Sequence, residues 1–363
     1  MKTLEGVRDP ELGGNVVELG MITDVKIDGS HIDIGLALTI AECPLRSQIE
    51  GDTRRRVESM PGVVSVGIRT TAMTKRQRAE LMSVARRHAR ENAEPTQVGS
   101  TTRVIAVASG KGGVGKSSLS VNLAAGLGRE GFRVGLLDAD IWGFSIPRMI
   151  GATGRLEADA DTKLIEPVTA SGVKVVSTGL IIDSEETALM WRGLMLSKAL
   201  EQFLKQVHWG ELDYLIVDMP PGTGDVQMAL TRMLPQAEMI VITTPQNAAQ
   251  RVAIRVADMA RRSHMPVVGV IENMSGDVFG EGGGKVLADE LGVSLLGSIP
   301  LDHSIVEGGD NGEPVVLRQG SGPAATALAA TVEKVMAVVP PADLETCTGR
   351  IAKLIADLED GAA

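Results

Sequence analysis

Eight residues, Gly110-Lys111-Gly112-Gly113-Val114-Gly115-Lys116-Ser117, follow directly on an apolar run that ends at Ala108-Ser109. Leu119, Leu123 and Leu127 then recur at helical spacing. A strand, a glycine-rich turn and a helix in this order leave few options. The G-x-x-x-x-G-K-S spacing curls backbone N–H groups around an anion. Glycines at 110, 112, 113 and 115 let the main chain approach phosphate oxygens, and the start of the helix adds partial positive charge. In such a loop Lys116 neutralises the β- and γ-phosphates and Ser117 ligates Mg²⁺, with Val114 and Ser118 beside the nucleotide. ATP and Mg²⁺ are the expected ligands.

The rest of the chain reads as layers around that loop. Val104–Ala108, Val134–Leu137, Tyr214–Val217, Met239–Thr243, Val267–Ile271 and Leu295–Ile299 are nearly continuous apolar runs separated by helical patterns. Strands buried on both faces of a parallel sheet read this way. The spacing predicts a doubly wound, mostly parallel α/β domain over residues 103–363. Residues 1–73 read as a small α+β domain, with strands at Met21–Ile27 and His31–Thr39 around the turn Asp28-Gly29-Ser30. A helix over Pro44–Met60 and a strand at Val63–Arg69 complete it. Residues 74–102 read as a solvated basic linker helix running into a polar stretch, its Lys75, Arg76, Arg78, Arg86, Arg87 and Arg90 interrupted by Glu80, Glu91 and Glu94.

Composition removes several classes of function. None of the apolar runs in the 363 residues approaches the roughly 18–20 that a membrane span needs, and the start, Met1–Gly6, shows no secretory signal. A soluble, cytoplasmic protein with no membrane partner is expected. The two cysteines, Cys43 and Cys347, are too few and too distant for a disulfide framework or a zinc ribbon. Eight aromatic residues are too few for a base-stacking platform. The first hundred residues hold 14 basic and 14 acidic side chains, so the remainder carries the whole net charge of −10 and repels phosphate backbones. No nucleic-acid partner is expected.

Two apolar runs end in acids. Leu136-Leu137-Asp138-Ala139-Asp140 and Leu215-Ile216-Val217-Asp218 put carboxylates at the strand edge where open α/β sheets bind ligands. The tight loop Met219-Pro220-Pro221-Gly222-Thr223-Gly224-Asp225 is placed to sense a γ-phosphate. Lys111, next to the first loop glycine, is not needed by a generic phosphate loop. It resembles the deviant P-loop (deviant Walker A) class that contains Min and Par proteins, arsenite pump ATPases, nitrogenase iron protein and Mrp-type cluster carriers. That resemblance implies a nucleotide-sandwich homodimer in which Lys111 reaches the partner's nucleotide like an arginine finger. It further implies that Asp140 orients the attacking water, that Asp218 stands on the Mg²⁺ side, and that Asp138 lies near the metal and Lys116.

Several separate blocks narrow the class. Asp138–Pro147, Met190-Trp191-Arg192-Gly193, Asp218–Asp225, Thr244-Pro245-Gln246 and Glu272-Asn273-Met274 resemble the Mrp (ApbC-type) branch of ATP-dependent iron–sulfur cluster carriers. The resemblance spans roughly Arg103–Leu317 and implies adenine contact by Asn273, with Pro300 and Asp302 nearby. Asp9-Pro10-Glu11-Leu12, Leu19-Gly20 and Leu38-Thr39 followed by Cys43-Pro44 resemble the small (MIP18-like) domain of iron–sulfur assembly factors. In that family the cysteine is the functional thiol, which points to Cys43 as an iron–sulfur ligand. Its place at an expected helix start favours the thiolate. Apo iron–sulfur proteins or assembly factors are the implied partners.

Two positions depart from that pattern. Many Mrp proteins carry a Cys-x-x-Cys pair shortly after the Glu-Asn-Met block, whereas this chain runs Ser275–Gly284 without a cysteine, and Phe144 stands where proline is usual. Two further readings therefore stay open: an ATP-driven switch or chaperone that carries no cluster, and a Min/Par-like positioning ATPase. The apolar stripe at 351, 354, 355 and 358 is followed by Asp357, Glu359 and Asp360, a charge pattern that favours packing over a membrane.

Overall fold

A computed structural model describes residues 1–342 except 11, 13, 40–44, 92, 142, 182–192 and 319–321. The chain divides into two compact units, Met1–Ala93 and Glu94–Ala363.

In the first unit, strand β1 (Ile22–Asp28) turns back on β2 (His31–Leu38), and helix α1 (Arg46–Glu58) carries the chain to β3 (Ser65–Ala72). β1 and β2 are antiparallel, and β2 and β3 are parallel. The sheet and α1 bury Ile34, Leu36, Ile49 and Val57. Helix α2 (Lys75–Glu91) differs from the solvated linker expected of it. Leu81 and Ala85, four residues apart on one face, are buried in this same core. The many arginines of α2 masked a narrow apolar seam.

The second unit opens with β4 (Arg103–Ser109), α3 (Lys116–Arg129), β5 (Val134–Asp138) and α4 (Ile146–Ile150). A two-stranded ribbon, β6 (Glu157–Ala158) and β7 (Ile165–Glu166), leads to β8 (Val168–Ala170), β9 (Val173–Val176) and α5 (Gly193–Gln206). Then come β10 (Tyr214–Asp218), α6 (Asp225–Met233), β11 (Glu238–Thr243) and α7 (Asn247–Arg262). The unit closes with β12 (Val267–Ser275), α8 (Gly283–Leu291), β13 (Ser294–Pro300), α9 (His303–Asn311) and α10 (Gly322–Val338).

Eight strands form one sheet in the order β13-β12-β11-β4-β10-β5-β9-β8, parallel throughout except for β8 against β9. Each apolar run faces both ways. On β4, Val104 and Ala106 pack under α5 to α8, while Ile105 and Val107 pack toward α3 and α10. β10 and β11 repeat the alternation with Leu215/Ile216 and Met239/Ile240. Burial on both faces is why these strands carry no polar alternation. The expected strands all form, and β8–β9 is an addition. That hairpin escaped notice because its strands are short and joined at Ser171 and Gly172, both with positive φ. β4 sits between β10 and β11, where the strand order reverses. The register sets Asp218 opposite both Val107 and Asp138, so the phosphate loop and two carboxylates share one edge.

Candidate functional site

The loop between β4 and α3 has the shape its glycines permit. Gly115, with φ 79°, precedes the first turn of α3, and a Cβ there would fall 2.2 Å from Asn273 Nδ2. Gly110 is required for a different reason from the one its spacing suggests. A Cβ at 110 would lie 2.5 Å from the backbone of Val252, so this glycine lets α7 pack against the loop.

A dense polar cluster lies at the start of α3. The Lys116 ammonium donates to Asp218 Oδ2 at 2.6 Å and to Ser117 Oγ at 3.3 Å, and stands 3.9 Å from Asp140 Oδ2. Ser117 Oγ and Ser120 Oγ each donate to the Asp218 carboxylate, at 2.6 Å. Lys116 and Asp218 are both buried. Ser120, one helical turn beyond Lys116, was missed in the sequence although its spacing places it on the same face.

Asp138 completes the cluster at the end of β5. Ser177 Oγ donates to its Oδ2 at 3.0 Å, and the Asp140 amide donates to its Oδ1 at 3.2 Å. Burial pushes the Asp138 carboxyl up from 3.8 to about 8, with the neighbouring Asp218 charge adding to the rise against the Ser177 bond and Lys116. Burial likewise raises Asp140, with Lys116 opposing. A carboxyl that is neutral at pH 7 in the fold binds more protons than in the unfolded chain. Its contribution to stability is therefore full below about pH 4 and is lost as pH rises through 8. Asp138→Asn should flatten that decline by up to about 1.4 kcal/mol per pH unit. Urea unfolding at several pH values measures it; an unchanged slope would show that Asp138 is ionised in the native protein.

Beyond the loop, Asn273 donates to Val114 O at 2.9 Å. A cavity of about 460 Å³ opens here, lined by Gly115, Ser118, Asn273, Met274, Pro300 and Asp302 among others. Asp302 also caps α9, and its bond from the Ser304 amide holds its carboxyl below the usual range. The loop after β10 is tied down by Gln227, which the sequence did not suggest. Its Oε1 accepts from the Gly224 amide, and its Nε2 donates to the Gly222 carbonyl, each at 2.8 Å. Gly222 in turn donates to the Ser109 carbonyl. The Lys111 ammonium reaches Gln246 Oε1 at 3.4 Å, just ahead of α7.

Against known proteins, residues 100–336 match the family model described as the NUBPL iron-transfer P-loop NTPase. The chain belongs to that family. Residues 1–68 also match the model of an iron–sulfur cluster assembly protein. An iron–sulfur cluster carrier protein of Mycobacterium leprae is 43% identical, covering 88% of this chain and 87% of its own. One from Synechocystis is 42% identical, covering 95% and 98%. A nucleotide-binding protein from Archaeoglobus fulgidus, solved in complex with ADP and with cobalt found, is 31% identical over 66% of this chain and 94% of its own, with a TM-score of 0.53. The cell division ATPase MinD of Pyrococcus furiosus, 22% identical over 65% of this chain and 98% of its own, has a TM-score of 0.52 and shares the fold.

Cys43, Cys347, the block Met190–Arg192 and the stripe at 351–358 lie outside the described residues. Among the described residues, no group of three or more His, Cys, Asp or Glu is placed to hold a metal ion. No described helix is long and apolar enough to cross a membrane. The stretch after Asn273 forms a tight turn. Gly276 and Gly280 exchange backbone hydrogen bonds, and the buried Glu272 carboxylate accepts from the amides of Gly282 and Gly284 and from Ser298 Oγ.

Proposed function

We propose that this iron-transfer NTPase binds and slowly hydrolyses ATP as a homodimer, and uses that cycle to hand iron–sulfur clusters to apoproteins. The observation that carries the nucleotide half is the buried Lys116–Asp218–Ser117 cluster at the mouth of a glycine loop. Three carboxylates, Asp138, Asp140 and Asp218, gather around one ammonium. Carboxylate oxygens and the Ser117 hydroxyl are the donor set that suits a hard divalent cation. Ser117 and Asp218 would hold Mg²⁺, whose chemistry is to neutralise charge on the β- and γ-phosphates.

The chain's own residues divide the remaining work. Lys116 leaves its carboxylate partner for the phosphate tail. Asp140, made more basic by burial, orients the attacking water and accepts its proton. Asn273, Pro300 and Asp302 hold the nucleoside. Gln227 fixes the 220–225 loop in one state, and loss of the γ-phosphate lets the loop change state. Lys111 serves the partner subunit's nucleotide.

The cargo half rests on relatives named as cluster carriers over almost the whole chain. Cluster iron prefers thiolate ligands, so Cys43 is the ligand proposed here. Anaerobic reconstitution followed by iron and sulfide analysis tests it. Wild-type protein should load a cluster and Cys43→Ala should lose most of it. Full loading of the variant would reject Cys43. A wild type that stays free of iron while hydrolysing ATP would favour a switch or chaperone instead.

A further inference from the structure

The cavity beside the phosphate loop has a wall that neither the loop nor the strand ends supply. Phe144, from the turn after β5, and Arg148, from α4, both line it. The Phe144 ring is backed on one side by Gly179, where a Cβ would lie 2.6 Å from ring Cδ2 and 3.3 Å from Pro147. Only a residue without a side chain leaves room for the ring at that depth. The wall is fastened to α9 at its far end. Arg148 of α4 and Asp310 of α9 both line the cavity and stand 3.7 Å apart, and a Cβ on Gly312 would fall 2.6 Å from Gly151 Cα.

A half-buried aromatic ring, backed by glycine and facing a cavity of about 460 Å³, presents a flat, polarisable surface where small side chains would leave a void. Planar heteroaromatic bases recognise such surfaces by stacking, without regard to hydrogen-bond pattern. We infer that Phe144 is a nucleotide-binding residue whose ring stacks on the base of the bound nucleotide. This rests on the proposal that the cavity holds the nucleoside.

The test is calorimetric titration of the full chain with ATP, ADP and inorganic tripolyphosphate, for wild type, Phe144→Leu and Phe144→Trp. Leucine refills the space against Gly179 but has no flat face, and a thermal melt checks that the fold is kept. Phe144→Leu should weaken ATP and ADP alike by about tenfold to a hundredfold. It should leave tripolyphosphate affinity unchanged, and Phe144→Trp should restore nucleotide binding. Wild-type ATP affinity in Phe144→Leu, or an equal loss for tripolyphosphate, would overturn the inference. A wild type that binds tripolyphosphate as tightly as ATP would overturn it while sparing the phosphate loop. A wild type that binds neither would overturn both readings.

Discussion

Lys116→Ala is expected to abolish ATP binding and also to destabilise the nucleotide-free fold by about 3–5 kcal/mol. The second effect separates this lysine from one that only touches ligand. Lys116 and Asp218 are buried 2.6 Å apart, and removing the ammonium leaves the Asp218 carboxylate held by the hydroxyls of Ser117 and Ser120 with no cation against it. An uncompensated buried carboxylate is among the larger penalties a single substitution produces. Pairing Lys116→Met with Asp218→Asn should recover most of the stability and none of the binding, because no charge of the pair then stays buried. Urea unfolding and calorimetric titration measure the two effects. A single variant as stable as the parent would show that the pair is not formed in solution.

Lys111→Ala should do the reverse. The bond from Lys111 to Gln246 is long, at 3.4 Å, so losing it should leave stability and ATP affinity within a few-fold of wild type. If Lys111 completes the partner's site, turnover should fall on the order of a thousandfold, the scale of a missing arginine finger. Wild-type turnover per site should rise with protein concentration as dimers form, and the variant's should stay flat. Hydrolysis in the variant at the wild-type rate would remove the trans role.

Much of the site was legible because its parts lie close together in sequence or recur at strand ends. Lys116 and Ser117 follow from the loop spacing, and Asp138 and Asp218 follow from apolar runs that stop at an acid. What escaped notice was whatever one element donates to another. Ser177 reaches Asp138 from a strand too short to register, and Gln227 braces a loop from the helix beyond it. Phe144 was visible only as an unusual residue until α4 and α9 enclosed a cavity around it. The helix 75–91 misled for a similar reason, since two buried positions among many charges decide its packing.

By itself the order of residues determined the parallel sheet and the phosphate loop, because backbone geometry and burial on both strand faces act locally and repeat. Only the tertiary structure decided protonation and contact. The Asp138 carboxyl is pushed up because it is buried at the end of β5 with Asp218 of β10 opposite it, and Gly110 is indispensable because α7 crosses it. Electrostatic free energy depends on distance and dielectric, and both are set when remote segments meet.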